Sequence, residues 1–327
     1  MLAPGLEGDW TELMGMILGG MAGALDARPS VPTPAGVPQA TLVAGFVVAA
    51  AAAACYASNL RDLATAWEKD PNYSHGYLVI PIALLVLWRR RASHGLGSAR
   101  GNPLGWVVLI ASLVLRAVAY ERGSYWVETF TMIPALAGLA LAYGALGFLG
   151  VCWPAIAFLL FMMPLPRFVN EFMALPLQSF AAVASASMLR LTGLWVLRDG
   201  NVILVGGETL EVAEACNGLS MLLSLTATIV TTLLLVPLPR WKQAVLALSI
   251  VPIAVLSNVM RITATAWCYH AYGPEIGSKY AHDIAGWLMM PTALIFVLLE
   301  LKIMSWLVVE DLAQADSLYG LDGPVPK

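Results

Sequence analysis

An all-α polytopic membrane protein with about eight transmembrane helices is the fold class this sequence predicts, and three observations predict it. Hydrophobic residues make up 59% of the 327 and charged residues 12%, against roughly 45–50% and 25% in a soluble domain. Apolar runs close to the roughly 20 residues that cross a bilayer recur along the chain, at 40–57, 75–88, 104–120, 126–144, 147–164, 217–236, 243–268 and 284–307. The remaining charges gather between these runs. Arg89, Arg90, Arg91 and Arg100 join the second to the third, and Arg240 with Lys242 joins the sixth to the seventh.

Lys and Arg accumulate in cytoplasmic loops, so those two connections are read as cytoplasmic, as are both chain ends. The stretches 58–74, 121–125, 165–216 and 269–283 are then outside. Residues 1–38 begin acidic (Glu7, Asp9, Glu12) and carry Pro29, Pro32, Pro34 and Pro38, unlike a secretory signal, which starts basic and turns apolar. They read as a cytoplasmic leader, 39–308 as the transmembrane domain with an outer-face insertion at 165–216, and 309–327 as a cytoplasmic tail. A net charge of −3 without a basic block gives no reason to expect a nucleic-acid partner; the partner composition does imply is the lipid bilayer. Cys55, Cys152, Cys216 and Cys268 are scattered, which argues against a disulfide framework or a zinc ribbon.

The insertion divides into two parts. Residues 168–196 are apolar enough to span, but counting them would reverse every later loop and put Arg240 and Lys242 outside. Pro176, Gln178, Ser185, Ser187 and Arg190 suit a helix in the interface or dipping partway. After it, "WVLRDGNVILVGGETLEVAEA" alternates apolar and polar residues around Asp199-Gly200 and Gly206-Gly207, which predicts a small β-hairpin leading to Cys216 at the start of the sixth run.

In this topology Cys216, Arg261 and His282 share the outer side. A helix N-terminus and a guanidinium both favour thiolate, taking a cysteine pKa from about 8.5 toward neutrality. Arginine stays protonated and stabilises an anion developing on a carbonyl oxygen. Histidine, with an ordinary pKa near 6.5, takes the thiol proton and returns it to a leaving amine. Asn217 and Gly218 offer backbone N–H groups in the first helical turn. Asn258 precedes Arg261 by three residues on one helix face, and Glu214 and Asp283 flank the cysteine and the histidine; all three are read as supporting groups. His75 opens the second run on the same side, where it either faces substrate or anchors the surface with Tyr73 and Tyr77. A zinc site of Cys216, Cys268, His270 and His282 has no familiar ligand spacing, and no metal or cofactor is expected.

Five stretches together, "YSHGYLVIPIALLVLW", "PLP...PLQ", "EACNGL" with Cys216, "SNVMRI" with Arg261 and "AHDIAGW" with His282, resemble the exosortase and archaeosortase family over about residues 55 to 305. Where the family commonly has Ser after the cysteine, this chain has Asn217. The resemblance implies a membrane cysteine transpeptidase or peptidase with Cys216, Arg261 and His282 as its catalytic residues. It also implies a bacterial inner-membrane location, with the site on the outer side. Its partners would be exported proteins bearing a C-terminal tail made of a short sorting motif, a transmembrane helix and a basic cluster. Two other readings stay open: a cysteine protease that only hydrolyses, and a non-enzymatic transporter or assembly subunit. The second predicts ionisable groups spread through bilayer depth, whereas most here gather toward the ends of the runs.

Overall fold

The computed structural model describes residues 47, 48, 50–94, 101–205, 207–211, 218–236, 238–276 and 282–307. Nine helices are described in chain order: α1 (Ala57–Lys69), α2 (Gly76–His94), α3 (Pro103–Glu121), α4 (Tyr125–Phe130), α5 (Met132–Phe158), α6 (Arg167–Leu191), α7 (Leu219–Leu235), α8 (Arg240–Ile276) and α9 (His282–Leu307). Three strands, β1 (Val196–Asp199), β2 (Val202–Val205) and β3 (Glu208–Glu211), stand between α6 and α7. The stretch 39–308 divides into two compact units that meet at Arg167 and Phe168.

Among the described residues, four helical stretches are long and apolar enough to cross a bilayer: Pro103–Glu121, Tyr125–Gly144, Arg167–Leu191 and Arg240–Gly273. Leu146–Met162 and Leu219–Leu235 are apolar but shorter. Eight spans are therefore not all present in this form. The first is described only at 47, 48 and 50–57, the second ends in its arginine cluster, and the sixth is a helix of 17 residues. Within the outer-face stretch 168–196, Arg167–Leu191 is one helix of 25 residues, long and apolar enough to cross a bilayer, and Pro176 sits inside it without ending it.

In the unit that ends at Arg167, backbone contact between α3 and α5 sets the packing. A Cβ at Gly105 would stand 2.2 Å from the Ala142 nitrogen, and one at Gly138 would stand 2.7 Å from the Leu109 nitrogen. Small residues let apolar helices touch in this way when lipid supplies no hydrophobic drive between them. A polar knot ties α1, α3 and α4 together. Arg116 pairs with Glu128 at 2.9 Å, donates to Asn59 Oδ1 at 3.0 Å and lies over the Tyr56 ring at 5.1 Å. Asn59 in turn donates to Thr129 Oγ1 at 3.3 Å. The two charged groups that stood apart in sequence thus neutralise each other, as buried charges must.

A second tie joins the loop before α2 to the turn after α5. The Trp67 indole donates to the Met162 carbonyl at 2.8 Å, the His75 Nε2 bonds the Phe161 carbonyl at 3.0 Å, and the Leu165 amide donates to the Tyr73 hydroxyl at 2.9 Å. Burial raises the Tyr73 phenol pKa above its ordinary value, partly offset by the Leu165 amide. Gly76 is required here, since a Cβ would meet the Trp67 ring at 2.3 Å.

The unit that begins at Phe168 holds α6, the sheet and α7 to α9. The sequence predicts one hairpin; the structure has a three-stranded antiparallel meander in the order β1-β2-β3. Each connection has two residues. Asp199 pairs with Val202 across Gly200 and Asn201, and Val205 pairs with Glu208 across Gly206 and Gly207. Gly200 and Gly207 have φ of 58° and 92°, the positive values such tight turns demand. The chain therefore turns a second time at Gly207. Val196, Ile203 and Val205 pack with Ala181, Ala182, Ala186 and Leu189 of α6 onto Val259, Ile262 and Ala266 of α8. Met221, Leu225 and Ile229 of α7 pack with Leu246 and Ala254 of α8 and with Val297 and Met304 of α9.

Gly105→Leu should prevent the α3–α5 contact and sharply lower the yield of folded protein. Gly150→Ala should be neutral or slightly stabilising, because nothing lies within 4 Å of a Cβ there and a helical glycine costs about 0.5–1 kcal/mol relative to alanine. Thermal denaturation in detergent, followed by size-exclusion recovery, measures both.

Candidate active site

The site forms where α7 begins against the middle of α8. Gly218 caps α7 in the left-handed region, with φ of 85°, a conformation that costs other residues roughly 1–2 kcal/mol. The Asn258 side chain stands beside it: a Cβ at Gly218 would lie 3.1 Å from the Asn258 Nδ2. Asn258 is 1% exposed and Arg261, one turn further along α8, is 8% exposed. A small cleft between the helices is lined by Leu177 and Ala181 of α6, Gly218 and Leu222, and Ala254 and Asn258 of α8.

The face of α8 that meets α7 and α9 changes character at this level. Leu246 and Ala254 are part of the apolar core. From Ala254, positions i+3, i+4, i+7 and i+11 are Ser257, Asn258, Arg261 and Thr265, all buried, and this spacing keeps them on one side of a helix. Ser220 and Ser224, four residues apart at the start of α7, are buried as well. The polar stripe thus starts where the apolar seam between α7 and α8 ends. Ser220, Ser224, Ser257 and Thr265 were not singled out from sequence, although the spacing in "SNVMRITAT" shows the stripe once α8 is known to be helical.

Cys216, Asn217 and Glu214 lie outside the described residues. Of His282 and Asp283 only the backbone is described, at the first turn of α9. The antiparallel register of α8 and α9 is set by the hydrogen bond from Ser249 to Glu300 at 2.7 Å and by Leu246 against Met304. Followed at 1.5 Å per residue, it brings His282 level with about Cys268, roughly 10 Å along the axis beyond Arg261. Arg261 and His282 therefore occupy successive levels of one helix pair. His75 belongs to the other unit and is buried there, with its ring bonded to the Phe161 carbonyl.

Long apolar helices, a polar stripe buried along one of them and a small sheet define a multi-pass helical membrane protein. A family model described as transmembrane exosortase matches residues 67–299, and the chain belongs to that family. The match takes in the Trp67–His75 clasp, the start of α7 and the polar stripe of α8. No curated protein and no solved structure matches the chain.

Gly218→Ala should lower stability by roughly 1–2 kcal/mol, since it meets both the left-handed penalty and the Asn258 side chain. Gly193→Ala, also at positive φ (86°) but with open space around it, should pay only the first. A thermal midpoint for Gly218→Ala no lower than that of Gly193→Ala would show that the Asn258 contact is slack.

Proposed function

We propose that this exosortase-family protein is a membrane cysteine transpeptidase or peptidase that cleaves the C-terminal sorting tail of exported proteins, with Cys216 as nucleophile. The observation that carries the reading is the meeting of the α7 start with the polar stripe of α8. Gly218 stands beside Asn258, Arg261 follows one turn on, and Cys216 precedes Gly218 by two peptide links, a span of at most about 7 Å.

In this reading the Cys216 thiolate attacks the carbonyl carbon of the scissile peptide. Arg261 stabilises the oxyanion that results, and the N-terminal end of α7, capped by Gly218, favours the same charge. Collapse breaks the C–N bond, leaves a thioester on Cys216 and releases the tail as an amine that takes its proton from His282. An incoming amine or water then attacks the thioester and frees the thiol. Asn258 acts through Gly218, fixing where the α7 backbone begins, while Glu214 and Asp283 support the thiol and the imidazole. His75, bonded to Phe161, is assigned to the clasp.

Depth supports an acceptor on the outer side. Trp241 and Trp267 of α8 are both exposed, and 26 residues at 1.5 Å separate them by roughly 39 Å, close to the about 40–45 Å of a bilayer with its headgroup regions. Read as an aromatic belt, they set Asn258 about 13 Å below the outer surface. A site at that depth suits a peptide bond held next to a transmembrane tail in the inner membrane of a bacterium. Polar residues clustered at one level also favour an enzyme over a transporter, which needs them through the whole depth.

Co-expression with a tailed substrate tests this reading. Wild type should release a shortened product from the membrane and Cys216→Ala should release none. Arg261→Lys keeps charge but loses the planar multi-donor fork, so processing should fall roughly a hundred- to a thousand-fold, the usual loss for one oxyanion donor. Full processing by Cys216→Ala would end the thiol mechanism.

A further inference from the structure

We propose that Ser257 is a substrate-binding residue of this site, its hydroxyl donating a hydrogen bond to a backbone carbonyl of the peptide that lies along the Arg261 face of α8. This rests on the reading of the protein as a peptide-cleaving enzyme and adds a residue to it.

Ser257 is 3% exposed, and its Oγ makes no hydrogen bond. Elsewhere in the apolar helices, Ser and Thr hydroxyls turn back onto a carbonyl of the preceding turn. Ser112 does so to Val108, Thr226 to Leu222, Thr228 to Ser224 and Thr231 to Ala227. That inward turn satisfies the hydroxyl at little cost. Ser257 makes no such bond to its own helix and stands within the polar stripe, next to Asn258 and one turn before Arg261. A buried hydroxyl left without a partner destabilises the free protein, and such a cost is typical of a group held ready for a ligand.

The ligand chemistry follows from the surroundings. An extended peptide drawn between apolar helices brings backbone carbonyl and amide groups that water no longer satisfies. A serine hydroxyl donates to such a carbonyl regardless of side-chain identity, which suits a position that must hold the peptide rather than read its sequence. Thr263 also leaves its Oγ1 without a partner, but five positions of helical rotation turn it away from Ala254, Asn258 and Arg261. It is a matched control.

Full-length protein in lipid nanodiscs, given a synthetic peptide that includes the cleavage region and its apolar tail, provides the test. Ser257→Ala should lower kcat/KM roughly three- to tenfold, the effect of one neutral hydrogen bond, mainly through KM. Its thermal midpoint without peptide should equal or exceed that of wild type, because an unsatisfied hydroxyl has been removed. Thr263→Ala should leave kcat/KM unchanged. An unchanged kcat/KM in Ser257→Ala, or a fall in kcat/KM matched by a fall in the midpoint, would overturn the binding role and leave the enzyme reading intact. Peptide conversion that survives Cys216→Ala would overturn the enzyme reading and the binding role together.

Discussion

The contact between Gly218 and Asn258 is the constraint on which the second half of the molecule depends. α7 must start at the level where α8 turns polar, because its apolar residues Met221, Leu225 and Ile229 need the apolar part of α8. Glycine suits this place, since it tolerates positive φ and adds no Cβ beside the buried amide. Moving the start by one turn in either direction would oppose apolar side chains to Arg261, or leave part of the apolar seam uncovered. Either change buries polar groups badly, and in a membrane protein water is not available to repair that.

The same rule governs the first half by different means. There the chain neutralises its charges in place, with Arg116 held by Glu128, Asn59 and the Tyr56 ring. Removing one partner of such a knot costs far more than the pair contributes, since the other charge is left buried. Along α8 the buried Ser257, Asn258, Arg261 and Thr265 are instead gathered on one face. In the proposed reading that face meets the substrate, with Arg116 as architecture and Arg261 as chemistry.

Much of this was legible in the sequence. Asp199-Gly200 marked the first turn of the sheet, and the spacing of Asn258 and Arg261 placed both on one helix face. Gly206-Gly207 was noticed as a turn signal, but four-residue strands carry too little alternation to predict a third strand. Pro176 and the serines of the 167–191 helix say little about its packing on their own; in the structure Ala181, Ala182, Ser185 and Ala186 are the small residues that α6 uses to lie against α8. His75 and the "PLP" segment read as separate motifs, and no local pattern reveals that a ring nitrogen from one bonds a carbonyl just before the other. Ser257 is invisible for a related reason: a serine in an apolar helix is ordinary until its buried hydroxyl is found without a hydrogen bond.

The central claim is that the thiol of Cys216 works at the polar stripe of α8. Thiol cross-linking tests it directly, in protein whose other three cysteines are replaced, with a single cysteine introduced on α8. Arg261→Cys and Leu256→Cys lie near one depth but on opposite sides of the helix, since Leu256 is 45% exposed and Arg261 is buried. A short thiol-to-thiol cross-linker should bridge Cys216 to the cysteine at position 261 and not to the one at position 256. Absence of a bridge at 261, or equal bridging at both, would contradict the account.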